Sequence, residues 1–553
     1  MVQLVNFYAL HLVSFVSISI IGSFIIWHFE HNSYIDSLFL AVTSITDTGL
    51  LSSDLQSARF VSQAIVLLLI VMGFPILWTL VPLILRRRFL VKQFDQLVVP
   101  TTPKPDQTLD QIPQKPLPLY TYSVEYWAMG RLLLVVISYC FFFLLIGFLS
   151  LCLRFYFCPQ CRETAEEVGG WLWFSIFHSI AAFTNAGISI FGECLTPFRN
   201  DPWILLTICG LIVGGQTGFP FFLRLICLWR SKRSSYSTVY SFLLDKGRLV
   251  YTHLFNTTET AWLGFWWLVF FFVQFIGLIV FDLELLATRP YLNAFFMTIS
   301  TRVCGFSTIN LGEMSMPMLN ILILLQVLAA TPFISILRKS AKVIEDSDPE
   351  PNGIVAALRK MYKTQQTNPW ARDFLWIYAS WLVMTITVHK NLQDFMFSSL
   401  YEVSSAYGNI GLSTGWPDTS ASFVGVSGTC GRFLIIVVML AGRHRGLPSS
   451  VDKAVSTLTF DGVADDVLHL LPEEVVVKMG VQTREIQDVK DSTVLDPLIV
   501  KILSSQESNQ GETVTFQPVN NTFPPRRGVN LKDIKKLMKE KRPNSVNTLF
   551  DVN

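Results

Sequence analysis

Four stretches decide how this chain is read. The first is Ser37-Leu-Phe-Leu-Ala-Val-Thr-Ser-Ile-Thr-Asp-Thr-Gly49-Leu50. The second is Phe174-Ser-Ile-Phe-His-Ser-Ile-Ala-Ala-Phe-Thr-Asn-Ala-Gly187-Ile188. The third is Leu292-Asn-Ala-Phe-Phe-Met-Thr-Ile-Ser-Thr-Arg-Val-Cys-Gly305-Phe306, and the fourth Ser399-Leu-Tyr-Glu-Val-Ser-Ser-Ala-Tyr-Gly-Asn-Ile-Gly411-Leu412. Each is apolar enough to enter a bilayer but too short to cross it, since the hydrocarbon core takes about 20 residues of helix. Each ends in a glycine followed by an apolar residue. Three carry a serine two places later: Ser189, Ser307 and Ser413.

Outward from these stretches lie longer apolar runs. Eight read as spans: 5–27, 60–85, 132–153, 203–229, 261–281, 316–337, the short 374–388, and 423–441. One glycine stretch separates each odd span from the next even one. The fold class is therefore an all-α membrane protein. Four pseudo-symmetric repeats of span, half-helix, glycine turn and span surround a central pore. The repeats are assigned to residues 1–95, 131–235, 236–343 and 344–455. A cytoplasmic Pro-rich linker is assigned to 96–130, and 456–553 reads as a cytoplasmic tail expected to be mostly disordered.

Composition agrees. The chain has 553 residues, 51% hydrophobic and 15% charged, against about 25% charged in soluble domains. A net charge of +2 points to neither nucleic acid nor an acidic substrate. Nine scattered cysteines exclude a complete disulfide framework. Basic clusters follow every even span: Arg86, Arg87, Arg88 and Lys92; Arg230, Lys232 and Arg233; Arg338, Lys339 and Lys342; Arg443, Arg445 and Lys453. The positive-inside rule then places both termini in the cytoplasm and the glycine turns toward the outside.

A half-helix that ends inside a bilayer turns its negative dipole end inward, which favours a cation. Glycine lets the following backbone adopt positive φ and approach its neighbours closely. Irregular backbone at that depth survives only against protein or a water-filled path. Four such turns in register supply rings of carbonyls that replace an ion's hydration shell. The candidate selectivity filter is Thr46, Asp47, Thr48 and Gly49; Thr184, Asn185, Ala186 and Gly187; Arg302, Val303, Cys304 and Gly305; Gly408, Asn409, Ile410 and Gly411.

The chain resembles the Trk/Ktr/HKT superfamily of potassium and sodium transporters and is closest in signature to fungal-type Trk. Thr301-Arg302-Val303-Cys304-Gly305-Phe306 resembles the third-repeat TRxxGF pattern. Residues 405–411, Ser-Ala-Tyr-Gly-Asn-Ile-Gly, resemble the fourth-repeat SAYGxxG pattern. Gly442-Arg-His-Arg-Gly-Leu-Pro448 is similar to the fungal GRHRGLP signature, and Gly218-Phe-Pro with Arg224 to the fourth span of that group. The resemblance implies a plasma-membrane transporter of monovalent cations, driven by the membrane potential, with one pore per subunit of a homodimer. It implies no enzyme activity, no cofactor and no nucleic-acid partner. Four glycines at the filter position imply potassium, with sodium as the other permeant ion. The resemblance further implies a gate below the filter at Ala329, Ala330 and Thr331, beside Pro332, with Arg443 near it.

Individual residues leave alternatives open. Asp47 would either gather cations at the pore mouth or cap the turn backbone. Arg302 is expected to brace the filter from behind, because a cation facing the ion would repel it. Glu402 is a candidate partner for Arg302 or Lys390. Arg443 would act at the gate or snorkel within a basic cluster. Cys158-Pro-Gln-Cys161 is expected to join an extracellular disulfide, with Cys194 as a candidate partner. Rival functions are a sodium-selective or sodium/potassium cotransporting member of the same superfamily, a membrane redox enzyme using Cys158 and Cys161, and a non-conducting scaffold.

Overall fold

The computed structural model describes residues 7–97, 119–234, 236–286, 289–328, 369–387, 392–416 and 421–445. The expected Pro-rich linker (in large part), the gate residues 329–331, Lys390 and the polar tail lie outside these. The described chain is all-helical, and no β-strand occurs among the described residues.

The described helices fall into three groups. Long outer helices are α1 (Phe7–Glu30), α5 (Leu119–Phe157) and α11 (Thr257–Phe281). Short helices are α2 (Tyr34–Ile45), α7 (Trp171–Phe183), α12 (Pro290–Ser300) and α15 (Leu392–Gly408). Between them run α3 (Phe60–Gly73), α4 (Pro75–Leu97), α6 (Pro159–Glu166), α8 (Pro202–Ile212), α9 (Phe219–Arg233), α10 (Ser237–Val250), α13 (Met316–Leu328), α14 (Pro369–Thr387) and α16 (Gly428–His444).

The short helices form the core. In α2, every residue from Phe39 to Ile45 is buried. In the 25-residue α11 only Thr260, Gln274, Gly277 and Leu278 are buried, while Phe265, Phe272, Ile276 and Val280 are exposed. A soluble protein does not expose such an apolar face.

Among the described residues, three helices are long and apolar enough to cross a membrane by length and composition, and bent pairs raise the figure to five. The expected second span is broken where Pro75 cannot donate to the helix ladder, and α3 meets α4 at 49°. The expected fourth span is broken by a π-turn, Val213–Thr217, and bends by 81° before α9. The sixth expected span continues past the described residues. The seventh corresponds to α14, whose first turns hold Arg372 and Asp373.

The described residues cluster into two units. The first comprises residues up to Leu80, Val135–Ile226 and Tyr251–Ser456, and it contains all four short helices. The second gathers parts of α4, α5, α9 and α10. Within it Arg86 pairs with Glu125 at 2.5 Å, Arg87 donates to Tyr126 Oη at 3.1 Å, and Arg131 stacks over Tyr236.

Candidate functional site

The four glycines expected to form the filter sit against one another. A β-carbon on Gly49 would lie 2.6 Å from Ala186 O and 3.4 Å from Gly411 Cα. One on Gly187 would run into Gly305 N. One on Gly305 would stand 2.8 Å from Ile410 O, and one on Gly411 would strike Thr48 O. The contacts close a ring in the order 49, 187, 305, 411 and back to 49. No side chain of any size fits at those positions without displacing backbone. The peptide carbonyls just before three of the glycines, on Thr48, Ala186 and Ile410, each abut the glycine of a neighbouring turn.

Local chain chemistry explains how three of the turns are made. Thr48 N donates to Thr43 O at 2.9 Å and Asp47 N to Ser44 O at 3.2 Å. Ala186 N donates to Ala181 O and Asn185 N to Ala182 O. Ile410 N donates to Ser405 O and Asn409 N to Ala406 O. This paired pattern is the Schellman helix ending, which requires a left-handed residue just past the helix. Asp47, Asn185 and Asn409 fill that place with φ of 50°, 64° and 52°. Aspartate and asparagine are the non-glycine residues that tolerate it best. The three following glycines are also left-handed, with φ of 101°, 65° and 90°.

The third turn differs. Val303 holds the equivalent place, and neither it nor Gly305 has positive φ. Cys304 N donates to Ser300 O at 2.7 Å, continuing the helical pattern. The Ser300 hydroxyl is within hydrogen-bond distance of two later carbonyls, Cys304 O at 2.9 Å and Phe306 O at 2.6 Å. Arg302 runs back from the ring: its Nε donates to Thr298 O, and its Nη1 to Trp267 O at 3.0 Å.

Behind the ring, glycines on the following helices receive the ends of the short helices. β-Carbons on Gly73, Gly215 and Gly442 would collide with the carbonyls of Ile45, Phe183 and Tyr407. Those carbonyls each lie four residues before a ring glycine. Of these three, only Gly442 stands out in the sequence, as the first residue of the GRHRGLP-like stretch; Gly73 and Gly215 carry no local signal within their spans. The third repeat has no glycine between Gly312 and Gly353.

Several expectations are corrected. Asp47 neither lies open at a mouth nor caps the turn with its side chain. It is 2% exposed, and its Oδ2 accepts from Arg443 Nη2 at 2.8 Å. The two opposite charges offset each other in this buried pair, and Arg443 also donates to Gly73 O. Glu402 does not meet Arg302: its Oε1 accepts from Val424 N at 3.1 Å. Cys158 bonds to Cys161, three residues away, and Cys194 is not part of the disulfide. Cys194 Sγ instead accepts from Ser307 N at 3.3 Å.

The second turn is buttressed by His178. Its Nδ1 faces Phe174 O at 3.1 Å, which places the proton there and leaves Nε2 to accept from the Ser189 hydroxyl. The same ring stacks against Phe174 and against Phe306 of the third turn.

Residues 121–458 match the family TrkH, described as cation transport protein. This chain belongs to that family. The matched segment holds the second, third and fourth turns; the first precedes it. The TrkH family is one of cation transport proteins and not of enzymes. A putative potassium transport protein of Dictyostelium discoideum is 32% identical over 355 residues, covering 62% of this chain and 51% of that protein. The potassium transporter TRK1 of Candida albicans is 28% identical over 370 residues, covering 60% and 34%. The chain thus spans about half or less of the length of these curated relatives. The rice cation transporter HKT2;4 is 26% identical over 450 residues, covering 75% and 86%. Among solved structures, the potassium transporter TrkH from Vibrio parahaemolyticus covers 82% of this chain and 85% of its own, with 14% identity and a TM-score of 0.45.

Proposed function

We propose that this chain takes up potassium ions across a membrane through the ring formed by Gly49, Gly187, Gly305 and Gly411. The observation that carries this reading is the closed contact of the four glycine turns. Each turn follows the C-terminus of a short helix, so four negative dipole ends converge where a cation would pass. Backbone carbonyls are the only polar groups the glycines themselves add there, and they act in place of water. Eight spans in four repeats enclose the ring, with both termini on the cytoplasmic side of a plasma membrane and one pore per chain of a homodimer. The membrane potential drives entry, supplying about 2.3 kcal/mol per charge per 100 mV. Residues 329–331 and Arg443 form the gate region, where the Asp47 carboxylate offsets the arginine charge.

Rescue of a potassium-uptake-deficient cell on low-potassium medium tests transport. Growth is expected, and failure of a well-expressed chain to rescue overturns the reading. Reversal potentials under separate potassium and sodium gradients test the ion. A response to potassium is expected; a response to sodium alone assigns the ring to sodium. Gly49→Ser is expected to lower potassium transport relative to sodium. An unchanged ratio removes this position from selectivity.

A further inference from the structure

The Cys158–Cys161 bridge lies outside the ring and takes no part in the reading above. Cys158 is the N-cap of α6, with Pro159 at the first helical position, and its Sγ accepts from Cys161 N at 3.4 Å. The open N–H groups of a helix N-terminus favour a thiolate at that sulfur. Asp201 stands within 4.8 Å of both sulfurs but touches that of Cys161, whose Sγ lies 3.3 Å from its Oδ2. A neighbouring carboxylate disfavours a second thiolate and can take the thiol's proton. Asp201 is firmly placed. Its Oδ2 accepts from Arg154 Nε at 2.7 Å, and its Oδ1 caps α8 by accepting from Trp203 N and Ile204 N. Both cysteines are half-buried, and Pro159, Gln160 and Arg162 around them are exposed. A small thiol can therefore reach the bridge. A purely structural staple needs neither the asymmetry nor the access.

We propose that Cys158 and Cys161 form a thiol–disulfide exchange site whose reaction partner is a low-molecular-weight thiol and its disulfide, of the glutathione class. In the dithiol form, the Cys158 thiolate attacks the partner disulfide, forms a mixed disulfide and releases one partner thiolate. Cys161 then gives its proton to Asp201 and attacks Cys158 Sγ. The internal bridge closes and the second partner thiolate leaves. Two electrons pass from the cysteine pair to the partner, and the reverse sequence opens the bridge. That the site faces outward rests on the transport reading; the exchange chemistry does not.

The test uses the full-length protein in detergent. It is equilibrated with buffers of graded reduced-to-oxidised glutathione ratio and trapped with a maleimide. Peptide mass spectrometry then locates the label. The bridge is expected to open without denaturant, with Cys158 labelled about tenfold faster than Cys161 at neutral pH. Asp201→Asn is expected to slow closure by oxidised glutathione while leaving Cys158 labelling unchanged. Cys161→Ser isolates the Cys158 rate if the aspartate variant does not fold. Opening only after unfolding, or equal labelling of the two sulfurs, overturns the proposal. Protection of the reduced pair by zinc(II) also overturns it and makes the cluster a metal site. Thiol labelling is read without any ion flux, so its outcome and that of the transport assay are independent.

Discussion

The third glycine turn and the other three reach the same ring by different backbone routes. The first, second and fourth end their short helices with a left-handed Asp47, Asn185 or Asn409 and a left-handed glycine. The third has β-branched Val303, whose side chain excludes that conformation, and holds its turn with the Ser300 hydroxyl. The positions equivalent to Ser300 in the second and fourth turns are Ala182 and Ala406, which offer no hydroxyl. A ring of four similar contacts therefore does not require four identical turns. It requires only that each turn present backbone where a β-carbon would collide.

The sharpest way to break this comparison is at the glycines. Gly187→Ala meets backbone atoms of Gly305 in a left-handed conformation, and uptake is expected to vanish. Gly305→Ala meets a looser contact, 2.8 Å from Ile410 O, and escapes the strain of positive φ, about 1–2 kcal/mol per residue, so residual uptake is expected. Equal loss in tracer-uptake assays would erase the distinction between the two routes.

Next in size is the ion pair special to the first turn. Asp47→Asn matches the asparagines of the second and fourth turns, yet it strands the buried Arg443 charge. Removing one partner of such a pair costs about 3–5 kcal/mol. Thermal unfolding in detergent is expected to show that loss, and the double variant Asp47→Asn/Arg443→Gln to recover most of it. No recovery would mean the pair acts through something other than mutual neutralisation.

Smaller still is Ser300→Ala, expected to cost about 1–3 kcal/mol by removing the one hydroxyl donor that the Cys304 and Phe306 carbonyls share. Ser44→Ala, at the equivalent place in the first turn, removes only a bond to Leu40 O within the helix and is expected to cost less. A matching loss at both sites, read by the same unfolding assay, would show that the hydroxyl is not what shapes the third turn. Val303→Asn is expected to have the smallest effect, under about 1 kcal/mol, because the Ser300 bonds remain in place.

Much of the fold was legible in the chain. Apolar length separated short helices from long ones, and the glycine spacing picked out the four turns that meet. The Asx residue two places before Gly49, Gly187 and Gly411 was a readable sign of the Schellman endings, as was its replacement by Val303. The sequence leaves Cys194 open as a partner of Cys158 or Cys161, because spacing alone does not say which sulfur another faces; the structure joins Cys158 to Cys161. The breaks at Pro75 and at Val213–Thr217 were hidden inside runs whose hydropathy is continuous.

Taken alone, the sequence determined what each segment is: spanning or half-length, left-handed or not, apolar or basic. Those properties depend on neighbours a few residues away, through helix periodicity, side-chain branching and glycine's freedom in φ. The tertiary structure decided who meets whom. It placed Gly411 beside Gly49, Arg443 on Asp47 across 396 residues, and Asp201 beside Cys161. It also set Gly73, Gly215 and Gly442 under the ends of the short helices. Such meetings follow from how packed helices close around one centre, and no local preference in the chain encodes that closure.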